Sequence, residues 1–129
     1  LQAQAFIGDV VGYGHYTAGW HGTSTIGCIG SAAGVAALMG LDAAAIARTL
    51  SIAVSLASGV KGQFGMPPKP FHAGMAARNA VEAALLARTG LHGRLDILEC
   101  AQGFAELYAG TLTRTTRLQD TQHVSESVG

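Results

Sequence analysis

Two short stretches hold the residues whose chemistry stands out. The first is GQFGMPPKPFHAGMAARNA, residues 62–80. Within it Lys69, Pro70 and His72 stand at the predicted mouth of a helix. Proline fits a first helical turn, where its missing N–H is no loss. The backbone N–H groups that follow are expected to point outward and, with the helix dipole, to form an anion site. Lys69 adds a full positive charge beside it. His72 lies in the same predicted turn, where the positive helix end favours neutral imidazole, a form able to accept a proton. The plainer alternative is a proline-stiffened loop with a solvated lysine and a capping histidine.

The second stretch is AGWHGTSTIG, with His21 just ahead of another predicted helix start. It repeats the pairing of one histidine with one set of free N–H groups. Its alternative is a loop that Trp20 and His21 plug onto the core. Convergence of the two stretches is the condition for a shared site.

Other patterns carry less. GYGHYTAG breaks the GxGxxG spacing of dinucleotide sites and follows no strand, and no GxxxxGK[ST] occurs. GSAAG matches GxxxG, which in a soluble helix points to close packing. His15, His92 and His123 have no ligand spacing with each other or with a carboxylate, so no metal site is expected. No cofactor is implied. Cys28 and Cys100 have no CxxC spacing and no evident activating neighbour, and they read as core.

The elements that must position these residues read as helices joined by glycine-marked turns. Residues 1 to about 11 look like a helix end, broken by Gly12 and Gly14, and HYTAGWHGTST like a loop. Thr23, Ser24 and Thr25 offer N-cap oxygens for a helix over about 25–39, closed by Gly40. Asp42 caps the next, over 42–58. There Ile46, Leu50, Ala53, Val54 and Ala57 form an apolar side, and Arg48, Ser51, Ser55 and Ser58 a polar one. A third helix is expected over 72–89, and two short ones in RLDILECA and GFAELYAG. No segment alternates with period two, so the predicted class is all-α. The domain is expected over residues 1–110, with 111–129 a polar tail or a truncated continuation.

Composition narrows the class of partner. Eight basic residues balance eight acidic ones, with no basic stripe, which argues against nucleic acid and anionic membrane. The longest apolar run, residues 26–41, is short of the roughly 20 residues of a membrane span. Residues 1–10 lack the basic n-region of a signal peptide. The two isolated cysteines suit a reducing compartment, and the expected location is the cytoplasm. The opening LQAQAFIGDVVGYG reads as an element already under way, so a partial domain is expected.

From about Gly14 to Gly110 the chain resembles the MmgE/PrpD family of 2-methylcitrate dehydratases, cis-aconitate decarboxylases and iminodisuccinate epimerases. The resemblance is carried by GWHGTSTIGCIGSAAGVAALMGLDAAAIARTLSIAVSLASG, then KPFHAGMAARNAVEAALLARTGLHG, then DILECAQGFAELYAG, in order. It implies a helical domain with a smaller lid domain, a homodimer, metal-free chemistry and small di- or tricarboxylic acid substrates. It places His21, Lys69 and His72 at the active-site cleft. Gly22 stands where proline is common in the family, and family members are several times longer. The implied function is a portion of a 2-methylcitrate dehydratase-like lyase that abstracts a proton beside a carboxylate. The rival is a non-catalytic helical module for assembly or small-acid binding. The partial chain is expected to self-associate and not to turn over substrate as an isolated monomer.

Overall fold

A computed structural model describes residues 1–110. Five α-helices and one 3-10 turn make up the described residues, and the only bridge pairing among them is the isolated contact of Trp20 with Val60. The predicted all-α class is correct. The predicted tail, residues 111–129, lies outside the described residues.

Helix α1 runs Gln2–Ala18, longer than expected. Gly12 does not stop it but kinks it, at φ 59°. The stop is Gly19, at φ 115°, a left-handed conformation that glycine adopts without a Cβ penalty. The segment read as a loop from His15 is therefore helical as far as Ala18. Ile7, Val11 and His15, four apart, are all buried, which is the spacing of one helical face.

Helix α2 runs Gly22–Leu38, and its N-cap is His21 rather than a hydroxyl residue. Thr23, Ser24 and Thr25 fall inside its first turns. Close packing of α2 on α1 rests on Gly30, where a Cβ would lie 2.8 Å from the Cα of Gln4. The GxxxG reading holds at that glycine and not at Gly34, which faces open space.

Helix α3 runs Ala43–Leu56, with the expected cap: Asp42 accepts the Ala45 N–H at 2.8 Å. Its expected polar side is solvated only in part: Ser55 and Ser58 are exposed, but Ser51 and Arg48 are not. Ser51 is buried and donates to the Arg94 carbonyl at 2.8 Å. Arg48 donates to the Ala87 carbonyl from Nε and Nη2, at 3.4 and 3.3 Å. Both side chains satisfy carbonyls at the ends of neighbouring segments.

Helix α4 runs Pro68–Arg88 and packs against both α2 and α3. Ala76, Ala80, Ala83, Ala84 and Ala87 are all buried along it. Alanine lets the backbones approach closely, so the core gains area through many short contacts. Residues 94–101 are turns and not the helix expected there. Helix α5 is short, Phe104–Tyr108, and returns to α1. Phe104 is the largest fully buried side chain.

Candidate active site

The start of α2 and the start of α4 meet. His21 Nδ1 and His72 Nδ1 are 2.9 Å apart, with ring centroids at 5.1 Å. His72 is buried and His21 half-buried. The condition of convergence is met for the two histidines.

Backbone contacts hold this geometry. The His21 N–H donates to the Gly59 carbonyl at 3.0 Å, and the Lys61 N–H to the Gly19 carbonyl at 2.7 Å. These bonds zip the Gly19–His21 turn onto the segment that follows α3. Gly59, at φ 112°, fits between the histidine pair and Ser24. Asn79, about two turns along α4 from His72, donates to the Leu56 carbonyl at 3.3 Å and ties α4 to the end of α3.

An Nδ1–Nδ1 contact has a strict proton count. A hydrogen bond at this distance holds one proton between two nitrogens. One ring donates through Nδ1–H and the other accepts through bare Nδ1. The accepting ring, when neutral, carries its proton on Nε2. The donating ring, when neutral, leaves Nε2 bare. The pair therefore presents one Nε2 able to accept a proton and one able to give it. Burial, then the electrostatic influence of His72 and of the Lys69 cation, lower the His21 pKa below its ordinary value. All three favour neutral imidazole.

Lys69 is placed differently from its predicted role. Helix α4 begins at Pro68, so Lys69 and Pro70 lie within its first turn and His72 in the second. The expected fan of free N–H groups is absent there. Pro68 and Pro70 have none, and that of Lys69 donates to the Met66 carbonyl at 3.1 Å. What remains for an anion is the lysine side chain. Its Nζ lies 5.1 Å from the Phe64 ring centroid, a cation–π distance. The Phe64 ring in turn meets His21 edge-on, at 5.0 Å and 84°. Phe64 thus stands between the cation and the histidine pair. At α2, the N–H groups of Gly22 and Thr23 precede the first intrahelical donors, so the N-terminal donors expected at that helix remain.

Sequence reasoning passed over three participants. Ser24 is buried beside Gly59, and its hydroxyl has no hydrogen-bond partner among the described residues. Thr25, expected as a cap, is instead buried against His15, Oγ1 to Nε2 at 2.6 Å. His15 had no ligand spacing, and its role lies in this buried contact. The four-residue spacing of Ile7, Val11 and His15 was the available signal. Among the described residues no cluster of three or more His, Cys, Asp or Glu has metal-ligand geometry. Cys28 is buried, and burial raises its thiol pKa to about 11, which removes it as a nucleophile. No described helix is long and apolar enough to cross a membrane.

The profile of the MmgE/PrpD N-terminal domain matches residues 1–115. The chain belongs to the MmgE/PrpD family. It is 38% identical over 90 residues to cis-aconitate decarboxylase of Homo sapiens, a match that takes in 70% of this chain and 19% of that protein. The Mus musculus protein of the same name matches at 38% over 90 residues, 70% of this chain and 18% of its own length. The aligned region is thus less than a fifth of either relative.

Proposed function

We propose that this domain supplies the acid–base pair and one substrate cation of a lyase acting on small di- or tricarboxylic acids. The observation that carries the reading is the 2.9 Å contact between His21 Nδ1 and His72 Nδ1. When both rings are neutral it offers one proton-accepting and one proton-donating Nε2. A dehydration needs both: a base takes the proton beside a carboxylate, and an acid protonates the departing hydroxide. A decarboxylation needs the acid. The electron pair of the broken C–COO⁻ bond stays on carbon, delocalises toward a neighbouring carboxylate, and is quenched by an imidazole proton. Lys69 holds a carboxylate and offsets the charge that develops on it.

Between these reactions the relatives favour decarboxylation of a cis-aconitate-like tricarboxylate over dehydration of 2-methylcitrate. The neutral His21, adjoining Lys69 through Phe64, suits an anionic substrate whose carboxylates are drawn to the lysine. The reading extends to a homodimer in the cytoplasm, in keeping with two free, buried cysteines. The rival reading, a non-catalytic module that binds small acids, keeps Lys69 and has no use for the shared proton of the histidine pair.

The test is a substrate screen on the intact protein with cis-aconitate, 2-methylcitrate and citrate, repeated for His21→Asn and His72→Asn. Loss of about a hundredfold or more in kcat for each variant, the scale of a missing general acid–base group, is expected. Binding of tricarboxylates without turnover in the unaltered protein would favour the non-catalytic module.

A further inference from the structure

His15 is the most enclosed histidine among the described residues, at 1% exposure. Both ring nitrogens are engaged. Nδ1 lies 2.7 Å from the Tyr108 carbonyl and Nε2 lies 2.6 Å from Thr25 Oγ1. Burial lowers its pKa, against the opposing pull of the Tyr108 carbonyl, so the ring is neutral at physiological pH. A carbonyl cannot donate, so the single ring proton sits on Nδ1. Nε2 is then bare and must accept from Thr25.

This assignment has a consequence at His21. Thr25 Oγ1 also lies 3.3 Å from the His21 carbonyl. A hydroxyl has one proton, so the two acceptors compete for it. The shorter contact to neutral His15 takes it. The His21 carbonyl keeps the N–H groups of Ser24 and Thr25, at 2.9 and 3.1 Å. His15 also fixes the residue on the other side of His21. Its ring lies parallel to Trp20, at 6.0 Å and 6°, and Trp20 stacks on Tyr108 at 4.4 Å. Tyr108 is itself tied down, its hydroxyl donating to the Ala57 carbonyl at 3.1 Å.

We propose that His15 is a positioning residue for His21, acting through the Thr25 hydroxyl and the Trp20 ring to hold the His21 backbone at the angle that brings its Nδ1 onto His72. Without the acceptor at Nε2, the Thr25 proton turns to the His21 carbonyl. The helix start then tightens toward Thr25, and the imidazole of His21 swings with it. The inference deepens the reading of His21 and His72 as the reacting pair, but its physical content is the geometry of that pair.

The experiment uses the intact protein and two substitutions that separate the bonds of His15. His15→Asn retains a donor near the Nδ1 position for the Tyr108 carbonyl and offers Thr25 nothing. His15→Gln places an acceptor near the Nε2 position. Nitrogen-15 NMR of the histidine rings reports the shared proton of His21 and His72 directly. In His15→Asn those resonances are expected to shift. The kcat is expected to fall about tenfold with KM unchanged, short of the hundredfold or more of a lost acid–base group. His15→Gln is expected to restore both. His15→Leu, which likewise offers Thr25 no acceptor, provides the same reading if His15→Asn does not fold. A folded His15→Asn or His15→Leu protein with unmoved His21 and His72 resonances overturns the proposal. A parent protein that turns over no tricarboxylate defeats the functional reading alone, since the ring resonances still decide the role of His15.

Discussion

The carbonyl of Gly59 accepts the backbone N–H of His21 at 3.0 Å, so the turn after α3 sets the height of the first histidine. The same glycine limits the second. A Cβ added to it would lie 2.6 Å from Ser24 Oγ and 3.3 Å from His72 Nδ1. Its φ of 112° adds backbone strain for any other residue. Gly59→Ala is therefore expected to cost about 2–4 kcal/mol, from strain and overpacking together. Gly34→Ala is the control. It lies inside α2 and a Cβ there meets nothing within 4 Å, so it is expected to stabilise by about 0.5–1 kcal/mol. Denaturant unfolding of the two variants checks the opposite signs.

Ser24 gives a second prediction. Its side chain is 2% exposed and its hydroxyl has no partner among the described residues. A buried hydroxyl left unpaired costs on the order of 1–3 kcal/mol. Ser24→Ala is thus expected to raise the unfolding free energy by about 1 kcal/mol. A fall of similar size would mean that an ordered water completes the hydroxyl in solution.

The legible part of this protein was its repeated helical grammar. Asp42 announced α3 because a cap is a local bond to the third residue on. The helix expected over 72–89 matches α4 at its end and falls short only of its start at Pro68. What was not legible depended on contacts between distant segments. Gly12 and Gly19 look alike in sequence, yet one kinks a helix and the other ends it. The helix continues between them to carry His15 onto Tyr108, 93 positions away. Ser51 read as polar surface because its acceptor, the Arg94 carbonyl, lies on a turn that periodicity cannot place. At the site, residue types pointed to His21 and His72, and only the fold brought their Nδ1 atoms together. The anion site expected at the start of α4 failed on a local count. Moving the helix start to Pro68 puts two prolines and a used N–H in the first turn.

The histidines also set a pH dependence. His15 and His21 both have pKa values lowered on folding, each chiefly by burial. Below the ordinary histidine value of about 6.5 the unfolded chain then binds more protons than the folded one. Stability therefore rises with pH through that window and is lost on acidification. The Tm is expected to fall between about pH 7 and about pH 5, and His15→Gln is expected to make that fall shallower. Thermal unfolding followed by circular dichroism across this range checks it. An unchanged slope in His15→Gln would mean that His15 is not the buried group that titrates.

Lys69 and Arg48 separate binding from folding. Lys69 is exposed, with its Nζ over the Phe64 ring that abuts His21. Arg48 is half-buried and serves the Ala87 carbonyl at the end of α4. A carboxylate that loses a charge-assisted partner loses about 1.5–3 kcal/mol of binding. Lys69→Ala is accordingly expected to raise KM for a tricarboxylate by roughly tenfold to a hundredfold, at unchanged Tm. Arg48→Ala is expected to lower Tm and leave KM where it was, because the carbonyl it satisfies belongs to the scaffold. Steady-state kinetics and thermal unfolding on the same two preparations decide the matter. Equal KM values in both variants would remove Lys69 from the substrate site and leave the histidine pair to act on a substrate held by other cations.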